Sequence, residues 1–529
     1  MRFVCLVLAS ALALVLANGA VQAQRTASPF FAFVVFGEGT DGRPVPMVRS
    51  VAERATACPS LRSSHGGTPV TMTPRRRPVG GQFDDVLVCE ARYPVGEAAS
   101  VFQGGRRIDL PVVSLGTPRR VVLVGDSGCR GDTKDKPQPC TGDGFAKVWP
   151  FGTLSDEEVG NRPDLIIHVG DYNYRGTPRG MVVPARVSGY GRDMPVSFYD
   201  TGDLDDEDEP DLPIGAAYWS QNMEGSPIPD KWAYWRDDFF LPAARLLPVA
   251  PWLLSRGNHE LCSRAGPGWF YLLDANSPLL GPGAKQQECP PQTPAGWQLG
   301  AWPKPPALPF AGQAFPTITN PPFRLKFGKL NIVAIDSANA ADAVLFNLDL
   351  YLGQYREVAR LLAEDRTPTW LVTHRPIWGV VKRDKGGPIP STPYGFVNET
   401  QREAVHRVFP NGIPSHVKVV IVGHMHRFQA IGFDSRQPPH LAVGTGGMEL
   451  SHVQPVPSPD HPKRPVRVPG LDRSDAYVVG LRDFATMVVN PVDDGTWTSA
   501  LYGTEGEVLA VCDSRWPGPG HARSVCELK

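Results

Sequence analysis

Five short apolar runs in this chain each end in residues that can hold charge or transfer a proton. Residues 120–124 run into Gly125-Asp126-Ser127-Gly128, and residues 165–169 into Gly170-Asp171-Tyr172-Asn173-Tyr174. Residues 252–254 lead to Gly257-Asn258-His259-Glu260, residues 370–372 to Thr373-His374, and residues 417–422 to Gly423-His424-Met425-His426. One Gly-Asp after a strand is ordinarily a turn. One histidine there is ordinarily structural. Together the five ends ask for another explanation. Carboxylate, phenol and amide oxygens combined with imidazoles make a donor set for transition metals. Gly125, Gly170, Gly257 and Gly423 would let the backbone turn sharply and clear the ions.

The elements that must position these residues are also readable. Each run is expected to be a buried strand. In open α/β sheets, ligands gather just beyond the carboxyl ends of strands. The five runs would then deliver Asp126, Asp171, Tyr174, Asn258, His259, His374, His424 and His426 to one rim. From Arg119 onward, apolar strands alternate with longer segments, an α/β pattern. In residues 349–363, Tyr351, Tyr355, Val358 and Leu362 share one helical face. Before Arg119, short β-rich runs at 30–36, 69–72, 86–89 and 108–113 predict a small antiparallel β domain. Residues 200–211, 278–322 and 455–469 read as irregular insertions. The first is strongly acidic and expected to be a solvated loop. A calcium site is the alternative there, although the glycine of an EF-hand loop is missing.

The chain has 529 residues, a formal net charge of −1 and 42% hydrophobic residues. It can bury a core, and it lacks the basic excess of a nucleic-acid binder. Met1 and Arg2 precede an apolar run over residues 3–17, shorter than the ~20 residues of a spanning helix. Val21 and Ala23 suit signal-peptidase cleavage before Gln24. An uncleaved anchor is the alternative. Cleavage makes the protein secreted or periplasmic, with no membrane segment remaining. It also removes Cys5 and leaves eight cysteines, an even number that reads as disulfides in an exported chain. Loop-closure entropy favours near neighbours. The expected pairs are Cys58–Cys89, Cys129–Cys140, Cys262–Cys289 and Cys512–Cys526. No close cysteine pair has the spacing of a zinc knuckle.

The order of motifs resembles the calcineurin-like metallophosphoesterases: Asp126, Gly-Asp-x-x-Tyr at 170–174, Gly-Asn-His-Glu at 257–260, Val-Thr-His at 372–374 and Gly-His-x-His at 423–426. Gly444-Thr445-Gly446-Gly447 and the run 331–336 are similar to that superfamily too. Most members carry Asp-x-His in the first motif. Here it is Asp126-Ser127-Gly128, and Tyr174 stands three residues after Asp171. That exchange resembles purple acid phosphatases. The Arg175-Gly176 that follows looks more like the Ser/Thr protein phosphatases, which carry Asp at the Tyr position.

The resemblance implies a four-layer α-β-β-α sandwich preceded by a small N-terminal β domain. The expected division is a signal peptide at 1–23, a β-rich domain at 24–117, a catalytic domain at 118–515 and a tail at 516–529. It also implies two metal ions. One takes Asp126, Tyr174 and His426, the other Asn258, His374 and His424, and Asp171 bridges them. The anionic first set suits Fe(III), and the neutral second set suits a divalent Fe, Zn or Mn ion. The implied reaction is hydrolysis of a small-molecule phosphomonoester by a metal-bound hydroxide. A phosphodiesterase or nucleotide hydrolase on the same metal pair is the alternative, and a binding protein with a vestigial site is a third reading.

His259 follows a ligand without being one and could serve the leaving group. Glu260 could orient it or simply pack. His168 reads as a core histidine. Arg375 could offer a fork to phosphate or form a salt bridge, and Trp378 is a further candidate for the substrate rim. Asn398-Glu399-Thr400 would be a glycosylation acceptor in a eukaryotic secretory pathway. No Gly-x-Ser-x-Gly elbow and no P-loop pattern occur.

Overall fold

The apolar runs form strands where expected, but they divide between two sheets. The computed structural model describes residues 28–79, 81–131, 138–141, 144–175, 182–186, 193–197, 230–262, 265–289, 292–293, 296–297, 319–340, 342, 348–382, 394–451, 466–471, 474–515 and 525–529. The leader at 1–23 and the acidic run at 200–211 lie outside these residues, as does much of 278–322 and 455–469.

Val121–Val124, Leu165–His168 and Trp252–Leu254 are neighbours in an 11-stranded sheet. They run parallel and in register. His168 lies opposite both Val124 and Leu254. Level strand ends place the turns carrying Asp126, Asp171 and Asn258 side by side. Leu330–Ile335, Thr369–Thr373, Val417–Val422 and His440–Val443 run parallel in an 8-stranded sheet. Their turns carry His374, His424 and His426.

The period-2 alternation of side chains explains how the layers stack. Val121, Leu123, Leu165 and Ile167 point inward and pack with Ile332, Trp370, Val372, Val419 and Ile421 of the other sheet. Val122, Val124, Ile166 and Trp252 point outward, against Phe151, Phe239, Phe240 and Trp269. On the far side Val333, Leu371, Val420 and Val422 meet Tyr351, Tyr355, Val358, Ala404 and Val405. The last five come from helices Leu348–Glu364 and Glu399–Val408. This is the expected four-layer sandwich. The periodic stretch at 349–363 is that first helix, and its four predicted core residues are all buried.

The N-terminal β domain is fused to the catalytic sheet. Phe30–Glu38 pairs parallel with Trp252–Leu254, matching Val35 to Trp252, and antiparallel with Pro44–Glu53. Val86–Arg92 continues the same sheet. Only Ser60–Ser63, Val70–Thr71, Ala99–Gln103 and Arg106–Leu110 form a separate four-stranded sheet. The far end is ordered in a similar way. Cys526–Leu528, expected within a tail, is instead an edge strand, held by the Cys512–Cys526 disulfide. The other three pairs are also as expected: Cys58–Cys89, Cys129–Cys140 and Cys262–Cys289. No described helix is long and apolar enough to cross a membrane.

Candidate metal centre

The site lies where the two sheets meet at their carboxyl ends. Asp126, Asp171, Tyr174 and Asn258 come from turns of the larger sheet, and His374, His424 and His426 from turns of the smaller one. The sequence reading expected one rim, and the rim is that of the whole sandwich.

All seven side chains are buried. Their donor atoms converge on two points. At the first, the Tyr174 hydroxyl lies 3.0 Å from Asp126 Oδ1, 3.0 Å from Asp171 Oδ2 and 3.0 Å from His426 Nε2. At the second, Asn258 Oδ1 lies 2.7 Å from His374 Nε2 and 2.9 Å from His424 Nδ1. His374 Nε2 is also 3.2 Å from Asp171 Oδ2. Two metal-competent groups result, Asp126–Asp171–His426 and Asp171–His374–His424, each with its ligand atoms within 4.8 Å of one another. Asp171 belongs to both.

The backbone is bent to make this happen. Asp126, Asp171, His424 and His426 have φ of 55°, 61°, 70° and 45°. A non-glycine residue in the left-handed region costs on the order of 1–3 kcal/mol and is found where function over-determines it. The glycines act differently from expectation. Of the four singled out, only Gly170 has positive φ, at 107°. The others are needed because there is no room for a side chain. A Cβ on Gly423 would sit 2.5 Å from Asp126 Oδ2, and one on Gly257 would collide with the Asp171 carboxylate. Gly444, in the second glycine run, passes Asp126 Oδ2 just as closely, at 2.7 Å for an added Cβ.

Electrostatics set these groups against one another. Burial, then the neighbouring Asp171, raises Asp126, although three histidines oppose the shift. Burial pushes Asp171 up too, but His374 and His259 outweigh it and hold that carboxyl well below its usual range. Burial pushes His374 down, and the Asp171 charge reverses this and lifts it to about 9. His374 Nδ1 faces the Val169 carbonyl at 2.8 Å, so it carries a proton. Any further proton sits on Nε2, between Asn258 and Asp171. A cation satisfies the same geometry: two oxygens and imidazole nitrogens with their lone pairs turned inward. The donor set therefore fits a metal pair.

Other predicted residues fall around this centre. The His259 ring lies 3.9 Å from that of Tyr174, tilted by 45°, and its backbone N–H donates to Asp171 Oδ1 at 2.9 Å. Its Nε2 is 4.0 Å from Asp171 Oδ2. Glu260 accepts from the N–H groups of Asp171, Tyr172 and Gly257, so it holds the Asp171 turn. Arg375 is 1% exposed, and its Nη1 donates to Asp342 at 2.6 Å. The salt-bridge alternative is the one realised. Trp378 is buried against Phe433 and His440, away from any rim. Asn398 is fully buried and caps a helix by accepting from Gln401 N–H, and its amide nitrogen donates to Ala340 and Asp342. It is closed to glycosylation in the folded protein.

Sequence reasoning missed two supporting residues. His168 is a core histidine as expected, but it also ties two turns together. Its Nδ1 accepts from Gly170 N–H at 3.2 Å, so its Nε2 donates to Ser127 Oγ at 2.8 Å. Burial holds it neutral. Asp342 lies outside every motif and touches His424. The signal for His168 was a polar residue at the end of an all-apolar run. Asp342 gave no signal beyond its place downstream of the strand Leu330–Ile335.

The sequence model of the calcineurin-like phosphoesterases matches residues 119–428, more than half of the chain. No curated protein matches this chain. Among solved structures, the chain is similar to a purple acid phosphatase isolated from yellow lupin (Lupinus luteus) seeds. The identity is 12% and the TM-score 0.47, over 91% of this chain and 73% of that one. The family match spans the segments that build the centre, from the Asp126 strand to His426. The chain belongs to the calcineurin-like phosphoesterase family of metal-dependent phosphoester hydrolases.

Proposed function

We propose that this chain is an exported, purple acid phosphatase-like hydrolase of phosphomonoesters that works with two metal ions. The observation that carries the reading is the sharing of Asp171 between two metal-competent groups. In this reading Asp126, Tyr174 and His426 hold the first ion, and Asn258, His374 and His424 hold the second. Asp171 bridges them. Three anionic donors around the first ion suit Fe(III), while an amide and two imidazoles suit a divalent Fe, Zn or Mn ion. Tyr174 is the feature that favours the purple acid phosphatase branch within the family.

Such a pair supplies an activated water and a Lewis acid for the phosphoryl group. The remaining steps belong to the chain. In this reading His259, whose ring lies tilted against Tyr174 beside the centre, protonates the leaving oxygen or stabilises its charge. Glu260 and His168 fix the Asp126 and Asp171 turns, so the ligands need no rearrangement when substrate binds. In this reading Arg375 serves the buried Asp342 pair and not the phosphate. The proposed domains are 24–117 and a catalytic unit that starts at 118 and includes the edge strand Cys526–Leu528, after a signal peptide cleaved near Ala23. Four disulfides suit an oxidising compartment.

The test is a side-by-side assay of p-nitrophenyl phosphate and its bis ester, with metal analysis of the same sample. Two ions per chain and a preference for the monoester are expected. Preference for the bis ester would favour the phosphodiesterase reading. Fewer than two ions per chain would sink the metal pair.

A further inference from the structure

Asp342 sits behind His424, on the side away from Asn258. Its Oδ2 lies 2.7 Å from His424 Nε2 and 2.6 Å from Arg375 Nη1. Its Oδ1 accepts from Asn398 Nδ2 at 2.7 Å. Asp342, Arg375, Asn398 and His424 are all at most 3% exposed. The Arg375 turn is itself held, since its backbone N–H donates to Ser337 Oγ at 2.8 Å. Its carbonyl accepts from Gln401, which accepts in turn from Tyr355. Both helices on that face of the sandwich therefore bear on this spot.

The proton on His424 follows from these contacts. Asp342 Oδ2 accepts from the Arg375 guanidinium and Oδ1 from the Asn398 amide, so the carboxylate meets His424 with an acceptor oxygen. His424 Nε2 must then carry hydrogen and donate to Asp342. Arg375 Nη1, 3.2 Å from Nε2, could only donate to a lone pair there, which would set that lone pair against Asp342 Oδ2 at 2.7 Å; the shorter carboxylate contact decides. The Nδ1 lone pair is left facing Asn258 Oδ1.

We propose that Asp342 is a positioning residue for the second metal ion. It fixes the tautomer and ring angle of His424 and raises the basicity of Nδ1. Arg375 is its counter-ion and balances the buried charge. An outer carboxylate partner of this kind is typically worth 10–100-fold in metal affinity. The inference rests on the metal-pair reading above. The rival account makes Asp342 only a counter-ion for a buried arginine.

Zn(II) titration of metal-stripped protein against a competing chelator separates the two accounts, with ions per chain counted at saturation. Wild type should bind two ions; fewer would overturn the metal-pair reading itself. Asp342→Asn should weaken one of the two ions by about 10–100-fold and leave the other unchanged. Arg375→Gln keeps the Asp342 carboxylate beside His424 but removes its counter-ion, so it should weaken that ion clearly less than Asp342→Asn does and leave the other unchanged. The proposal is overturned if Asp342→Asn binds both ions as wild type does, if it weakens both equally, or if Arg375→Gln costs as much. Should Asp342→Asn fail to fold, the double variant Asp342→Asn/Arg375→Gln removes both buried charges and carries the same expectation. Thermal unfolding of each stripped protein checks the fold independently of metal.

Discussion

Around Glu90 one buried carboxylate meets two guanidinium groups, whereas around Asp171 two carboxylates share only imidazoles. Glu90 Oε2 accepts from Arg49 at 3.0 Å and from Arg75 at 2.6 Å, and its Oε1 accepts from Ser277 at 2.5 Å. The two guanidinium groups also donate to carbonyls of Phe270, Tyr271, Leu272 and Asp274. That cluster staples the N-terminal strands to the 269–276 segment, with Arg49 Nε left without a partner. At the centre, two carboxylates, a phenol and an amide oxygen crowd together on strained backbone, with only histidines between them. Glu90 is met by groups that are always charged, whereas the carboxylates at the centre have only imidazoles, which can lose their charge. The difference is what a cation supplies.

The strongest break of this comparison is Asp171→Asn, which removes the shared ligand. Turnover should fall by about a thousandfold or more, the several kcal/mol that bound cations supply to the transition state. Both ions should weaken together. Full turnover in this variant would end the metal-pair reading. The matching change in the other cluster is Glu90→Gln, which strands Arg49 and Arg75 in the interior. Breaking a buried ion pair on one side costs about 3–5 kcal/mol of stability. Denaturant unfolding should show that loss, while ions per chain and turnover of the folded fraction stay at wild-type values. A change in metal count would mean the two clusters are not independent.

The two clusters were unequally legible in the sequence. The ligand residues stand at the ends of short apolar strands, and strand ends are where a parallel sheet must present its turns. Spacing and residue type therefore revealed Asp126, Asp171, Tyr174, Asn258, His374, His424 and His426 as candidates. The layers were legible for the same reason, since alternation and helical period are local. The division of those strands between two sheets was not, because pairing is a long-range property. Nor was the parallel pairing of Phe30–Glu38 with Trp252–Leu254, which fuses the β domain to its neighbour. Arg49, Arg75, Glu90 and Asp342 carry no local pattern at all. Each is a charged residue whose partner is distant in sequence, and without the fold a buried ion pair reads as a surface charge.

Asp274 lies beside the satisfied cluster and makes it sensitive to pH. Its Oδ1 accepts from Asn276 and Asn320 at 3.0 and 2.9 Å, while Oδ2 is buried without a partner. Burial pushes its pKa up to about 6, against the pull of Arg75 and Arg49. The native state thus binds a proton that the unfolded chain has already lost. Its stabilising contribution is complete below the unfolded pKa of 3.8 and disappears as pH rises through about 6. The size is at most about 3 kcal/mol. Asp274→Asn is neutral throughout, so the wild-type-minus-variant difference in unfolding free energy should decline between pH 4 and pH 6.5. A flat difference would show that Asp274 stays ionised and belongs with the satisfied charges.

Tyr174→Phe is the gentlest break, because it removes one oxygen from the unbalanced cluster and keeps the ring against His259. The hydroxyl touches Asp126, Asp171 and His426 at once, so its loss leaves the first ion two carboxylates and one imidazole. Affinity there should fall by at least about one order of magnitude, because a direct ligand is worth no less than the outer partners that support one. The second ion, held by Asn258, His374 and His424, should be unaffected. If the first ion is Fe(III), the wild-type protein absorbs visible light through a phenolate-to-iron transition, and the variant is colourless at equal iron content. Colour retained in Tyr174→Phe would remove the phenol from the ligand set. The first ion would then rest on Asp126, Asp171 and His426 alone, and the contrast with the Glu90 cluster would come from the carboxylates and not from the phenol.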